Sequence, residues 1–184
     1  IFYPAQFWAH KNHRLIIEAL AYLRKSKKID VYAVFCGSDC GNLPIILEMA
    51  KQRGVSDLVK YMGFVPDENM NSYYRKSLAL VMPSYFGPTN MPPLEAFALG
   101  VPVVVSDLPG LRDQVGDAGL LVSPDNFQDL GAIILRLLED PKLKDELSTR
   151  GTLRLKEFSN QKRISKLFEI FNTYKIKRQT WTLE

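Results

Sequence analysis

Short apolar runs alternate along the chain with stretches whose apolar positions recur every three to four residues. Ile1 to Pro4 and Val31 to Phe35 are runs with no polar alternation, as expected of buried strands. Leu58 to Tyr61, Leu78 to Met82, Val101 to Val105 and Leu120 to Val122 repeat the pattern. Between them the period changes. Asn12 reads as the cap of a helix that places Leu15, Ile16, Ala19, Leu20 and Leu23 on one face. Leu43 to Lys51 is helical and Gly54 stops it. Asp67 to Lys76 is a helix with Met70, Tyr73 and Tyr74 inward, and Leu94 to Leu99 a short one. Pro109-Gly110 is a turn before a short helix from Leu111 to Val115. Asp125 or Asn126 caps a helix with Phe127, Leu130, Ile134 and Leu137 on one side. Leu143 to the end is mostly helical, with Ile164, Leu167, Phe168 and Phe171 expected inward.

Apolar strands separated by helices predict an α/β fold, a doubly wound parallel sheet with helices on both faces. No internal repeat or low-complexity linker divides the 184 residues, so a single domain is expected. The chain opens inside an apolar run without an initiator Met, which suggests a piece of a longer protein. In such sheets ligands sit beyond the carboxyl ends of the strands. Those ends are the loops near Pro4–Lys11, Gly37–Asn42, Gly63–Pro66, Pro83–Pro93 and Ser106–Gly110, and they hold most of the Gly and Pro.

Composition narrows the function without naming it. The chain is 46% hydrophobic and 24% charged, enough to bury a core without disulfides or metal. Cys36 and Cys40 form no zinc pattern and read as reduced thiols, which fits a cytoplasmic setting. A net charge of +4 permits an anionic ligand or peripheral membrane contact and does not call for nucleic acid. No apolar run reaches the ~18 residues of a membrane span.

The candidate chemistry lies in the loops. Lys11, just ahead of the first helix, is placed to neutralise a diphosphate beside the positive helix end. A solvated lysine would occupy the same position. The loop from Ser84 to Pro93 leads into Glu95, whose two carboxylate oxygens suit a pair of neighbouring ribose hydroxyls. The helix dipole alone also favours a glutamate in a first turn. Gly87 lets the backbone come close to a ligand, and Gly37 allows the same or simply a turn. His10 and His13 are too few for a metal site and read as supporting or surface residues. The basic residues Arg150, Arg154, Lys156, Lys162, Arg163 and Lys166 read as a solvated helix face or a membrane-facing one.

The run from Pro83-Ser84 through Pro92-Pro93-Leu94-Glu95-Ala96 to Gly100-Val101-Pro102-Val103-Val104 resembles the donor-binding signature of family 4 glycosyltransferases, which have the GT-B fold. His10-Lys11-Asn12, Gly63-Phe64-Val65-Pro66-Asp67 and Ser106-Asp107-Leu108-Pro109-Gly110 resemble three further stretches of that family, in the same order. The resemblance implies the Rossmann-like C-terminal half of such an enzyme, and an N-terminal acceptor domain outside this chain. It implies that Lys11 pairs with the diphosphate of a nucleotide diphosphate sugar, and that Glu95 holds the ribose. Backbone at Phe64 and Val65 would border the base, and Gly37 would let the nucleotide lie close. Backbone N–H groups of Asn90 and Met91 would meet the phosphate or the sugar. No cofactor and no metal is implied.

The chain departs from the family at two places. Gly87 stands where the family has a second glutamate, and Gln6 stands near the place of an arginine. Thr89 and Asn90 are the nearest polar substitutes for the glutamate. The function expected is retaining transfer of a sugar to a glycan or lipid-linked acceptor in surface polysaccharide synthesis, with this piece alone inactive. A non-catalytic nucleotide-binding module and a nucleotide-sugar epimerase-like domain are the alternatives.

Overall fold

The computed structural model describes residues 1–87 and 90–181. Its sheet has six strands, all parallel: β1 (Phe2–Pro4), β2 (Ala33–Cys36), β3 (Val59–Tyr61), β4 (Leu80–Met82), β5 (Val103–Ser106) and β6 (Gly119–Val122). Their order is β3-β2-β1-β4-β5-β6. The order reverses between β1 and β4, so the loops leaving these two strands diverge and open a crevice at the carboxyl edge. β4 and β5 are buried throughout, which explains the apolar runs Leu80 to Met82 and Val103 to Val105.

The intervening helices are α1 (His13–Tyr22), α2 (Leu43–Arg53), α3 (Asp67–Lys76), α4 (Met91–Ala98), α5 (Pro109–Val115), α6 (Phe127–Glu139), α7 (Pro141–Leu155) and α8 (Asn160–Trp181). Neighbouring residues of β1 show that helices lie on both faces. Phe2 meets Tyr73 and Tyr74 of α3, whereas Tyr3 packs on His13 of α1. α1 packs with α2 and α6, and α4 with α7. Gly151 of α7 makes the second pairing close: a Cβ there would stand 2.5 Å from the Phe97 ring of α4.

The expected elements are present with shifted edges, and four assignments change. α4 begins at Met91, not Leu94, because Pro92 and Pro93 suit a first turn whose N–H groups have no partner in any case. Glu95 therefore lies beyond the first turn. Pro109 opens α5 and does not form a separate turn. Asn12 precedes α1 in the left-handed region (φ 56°) but makes no side-chain cap. Ile164, Leu167, Phe168 and Phe171 are over half exposed on α8, so they do not pack inward. The sheet and α1 to α7 complete the core without them. Asn126 does cap α6, accepting from the Asp129 N–H at 3.0 Å.

Candidate functional site at the strand crossover

The loops leaving β1 and β4 are tied to one another. The Asn12 side-chain amide, buried, donates to the Pro83 carbonyl at 2.9 Å and the Pro124 carbonyl at 2.8 Å. It thus joins the ends of β1, β4 and β6. The Tyr85 N–H donates to the His10 carbonyl at 2.8 Å, and the Tyr3 hydroxyl donates to the Lys11 carbonyl at 2.9 Å. These bonds hold the backbone of Lys11 at the mouth of the crevice. The Lys11 side chain is half-buried and makes no salt bridge among the described residues. Burial lowers the pKa of its ammonium, a cost that an anion beside it would offset.

His13 is fully buried, stacked on Phe7 with ring centres 4.1 Å apart, and neither ring nitrogen has a hydrogen-bond partner among the described residues. Burial, with Lys11 nearby, pushes its pKa down to about 3. His13 is therefore a neutral core ring and not a surface group. His10 is exposed beside Phe86.

Glu95 projects from α4 with its carboxylate exposed, and the Tyr74 hydroxyl of α3 donates to Oε2 at 2.6 Å. This contact fixes the carboxylate's direction. Burial first, and the Glu95 carboxylate second, raise the pKa of the Tyr74 hydroxyl, so it stays a donor. α3 starts from the turn that carries Phe64 and Val65. That turn lines a cleft of about 350 Å³ with Met62, Pro66, Asn69 and Tyr73; Phe64 is 80% exposed at its lip and Val65 is buried in it. The Gly37 N–H donates to the Gly63 carbonyl at 2.8 Å, so the β2 and β3 loops are linked. Gly37 has a requirement of its own: a Cβ would stand 2.5 Å from the Ala5 carbonyl oxygen.

In the β4 loop, Gly87 has φ 131° and Met91 is largely exposed at the start of α4. The Asn90 N–H donates to Oε1 of Gln114 at 3.0 Å, so in this structure it faces the protein. Thr89 lies outside the described residues. Gln6 accepts a hydrogen bond from the Trp8 indole at 3.0 Å. Among the described residues no three His, Cys, Asp or Glu side chains come together. Cys36 and Cys40 are both free, and burial pushes the Cys36 thiol up to about 11.

Residues 1–154 match the family model described as glycosyl transferases group 1. The chain belongs to that family.

Among curated members, this glycosyltransferase chain is 30% identical over 149 residues to O-antigen chain mannosyltransferase B of Escherichia coli, covering 81% of the chain and 39% of the relative. It is 25% identical over 159 residues to a D-inositol 3-phosphate glycosyltransferase of Thermomonospora curvata, covering 85% and 37%. The chain thus spans about two fifths of the length of these relatives. Among solved structures, the C-terminal domain of the group 1 family protein LpcC from Francisella tularensis superposes with a TM-score of 0.71 at 25% identity, covering 84% of this chain and 83% of that one. Anabaena HepE in complex with UDP superposes with a TM-score of 0.81 at 19% identity, covering 94% and 48%, which is a likeness of fold. The sheet is that of the Rossmann-like domains of GT-B glycosyltransferases.

Four residues that hold these loops carry no such role in the sequence pattern: Tyr3, Tyr74, Gln114 and Asn12, the last read only as a cap. Gln114 left a signal, a polar residue between Leu111 and Val115 on the buried stripe of α5. Tyr74 left none, because an inward tyrosine looks like any core aromatic.

Proposed function

We propose that this chain is the donor-binding half of a retaining glycosyltransferase, which moves a sugar from a nucleoside diphosphate sugar to a glycan or lipid-linked acceptor. The observation that carries the proposal is the meeting of two loops at the sheet crossover. One presents the half-buried Lys11, and the other runs into the exposed, Tyr74-oriented Glu95. In this reading Glu95 accepts from the ribose hydroxyls, and the cleft at Phe64 and Val65 borders the base. Gly87, Asn90 and Met91 line the sugar side. As the bond between the anomeric carbon and the diphosphate oxygen breaks, charge develops on the diphosphate. The Lys11 ammonium opposes that charge where water is partly excluded.

The acceptor site belongs, in this proposal, to a second domain outside the chain, so the chain alone binds donor without turnover. The lengths of the relatives support this. Among the described residues no helix is long and apolar enough to cross a membrane. A cytoplasmic enzyme of surface polysaccharide synthesis, peripheral to the membrane, completes the proposal, supported by the likeness to the O-antigen mannosyltransferase.

Calorimetry with a panel of nucleosides, nucleoside diphosphates and their sugar conjugates tests it. At least one diphosphate should bind. Lys11→Ala should weaken that binding by about 1.5–3 kcal/mol, as for a charge-assisted hydrogen bond, while the bare nucleoside changes little. Absence of any binding, or indifference to Glu95→Ala, would sink the reading. Gly87 in place of a glutamate favours one second reading, a nucleotide-binding module without catalysis. Assay of sugar transfer by the longer protein separates the two.

A further inference from the structure

Gln114 lies on α5 with 4% of its surface exposed, between the buried Leu111 and Val115. Its Nε2 donates to the Asn90 carbonyl at 2.6 Å while its Oε1 accepts from the Asn90 N–H at 3.0 Å. A carboxamide carries a donor and an acceptor side by side, as a peptide does, so Gln114 pairs with Asn90 as a neighbouring strand would. The pairing matters where it occurs. Asn90 leads directly into α4, and Pro92 and Pro93 contribute no N–H there.

Asn90 in turn shapes the loop. Its Nδ2 donates to the Gly87 carbonyl at 3.1 Å. A Cβ on Gly87 would stand 2.9 Å from Nδ2 and 3.1 Å from Oδ1 of Asn90. The Asn90 carboxamide therefore fills the space into which any side chain at position 87 would project. Gln114 is itself anchored: its carbonyl accepts from Arg154 Nε of α7 at 3.1 Å, and Arg154 also donates to the Asp113 carbonyl. Glu95 is held separately, by Tyr74 of α3.

We propose that Gln114 is a positioning residue of the donor site, which holds the Asn90 carboxamide in the place of a residue-87 side chain as the polar group facing the donor sugar. The proposal rests on the donor-site reading and assigns the sugar side of that site to one clamp. Because Glu95 is fixed from α3, loss of the clamp should affect the sugar more than the nucleoside.

The test is calorimetry on the purified chain with uridine and guanosine diphosphates and with their glucose and mannose conjugates. Gln114→Leu keeps the volume and removes both bonds. It should weaken binding of the sugar conjugate about tenfold, as expected for two lost hydrogen bonds, and of the diphosphate about twofold or less. Gln114→Glu should match that loss at neutral pH, where its carboxylate offers no donor to the Asn90 carbonyl. It should recover as pH falls and the carboxyl gains a proton to donate, and Gln114→Leu should not. If Gln114→Leu does not fold, Gln114→Glu across pH carries the comparison. Equal losses for conjugate and diphosphate, or no loss for either, would overturn the proposal and leave the donor-site reading standing. If the unaltered chain binds neither ligand, the donor-site reading falls and takes the proposal with it.

Discussion

Single residues in the site have roles set by one or two contacts. The Tyr74 hydroxyl holds Glu95 at 2.6 Å, and Tyr74→Phe removes that bond while keeping the ring on Phe2. The expected result is a threefold to tenfold weaker nucleoside diphosphate, about 1 kcal/mol, read by calorimetry. His13 carries a prediction about pH. Its pKa is depressed from 6.5 to about 3 in the fold, chiefly by burial. Between those values the unfolded chain binds a proton that the folded chain refuses, so acid favours unfolding. Stability should fall as pH drops below about 6.5, by up to ~1.4 kcal/mol per pH unit from this group. His13→Phe keeps a ring on Phe7 and cannot titrate. Urea unfolding at pH 5 and pH 7 should show a smaller difference for the variant, and equal differences would remove His13 as the cause. Lys11 and Glu95 were legible as chemistry because their types and loop positions suit phosphate and ribose. The contacts of Asn12 with Pro83 and Pro124, and of Tyr74 with Glu95, join residues far apart in the chain and leave no local pattern.

At the scale of elements, close packing of α7 on α4 depends on Gly151. A methyl there would meet the Phe97 ring, itself 1% exposed, at 2.5 Å. Gly151→Ala should destabilise the chain by about 1–3 kcal/mol through overpacking, although alanine is the better helix former. Thermal denaturation measures it, and a rise in melting temperature would refute the packing account. The basic residues near this junction divide by contact. Arg150 bonds Glu146 at 3.1 Å, and Arg154 bonds Glu157 and lies 5.5 Å from the centre of the Phe158 ring. Lys166 likewise bonds Glu169 at 3.1 Å. Helix periods were legible from α1 to α7, since each of these helices buries one face. Helix starts were less so, and α4 shows why: a Pro-Pro pair is compatible with a loop or a first turn, and only the surrounding chain selects.

For the whole molecule, the core closes over the sheet and α1 to α7. α8 keeps Ile164, Leu167, Phe168, Ile170, Phe171 and Tyr174 over half exposed, so it adds little buried apolar area to the fold. A chain ending at Ser159 should melt within a few degrees of the full chain, on the order of 1 kcal/mol of stability; a loss of cooperative unfolding would show that α8 belongs to the core. The inward placement expected for Ile164, Leu167, Phe168 and Phe171 followed from their spacing, which says that a face is apolar and not what covers it. By itself the sequence determined the alternation of strand and helix, because burial on two faces demands unbroken apolar strands and amphipathic helices. It also determined which residue types stand at the strand ends. The strand order, the crossover between β1 and β4, and the bonds of Asn12, Tyr74 and Gln114 emerge from the folded chain. Those depend on pairings between distant segments, which no local spacing records.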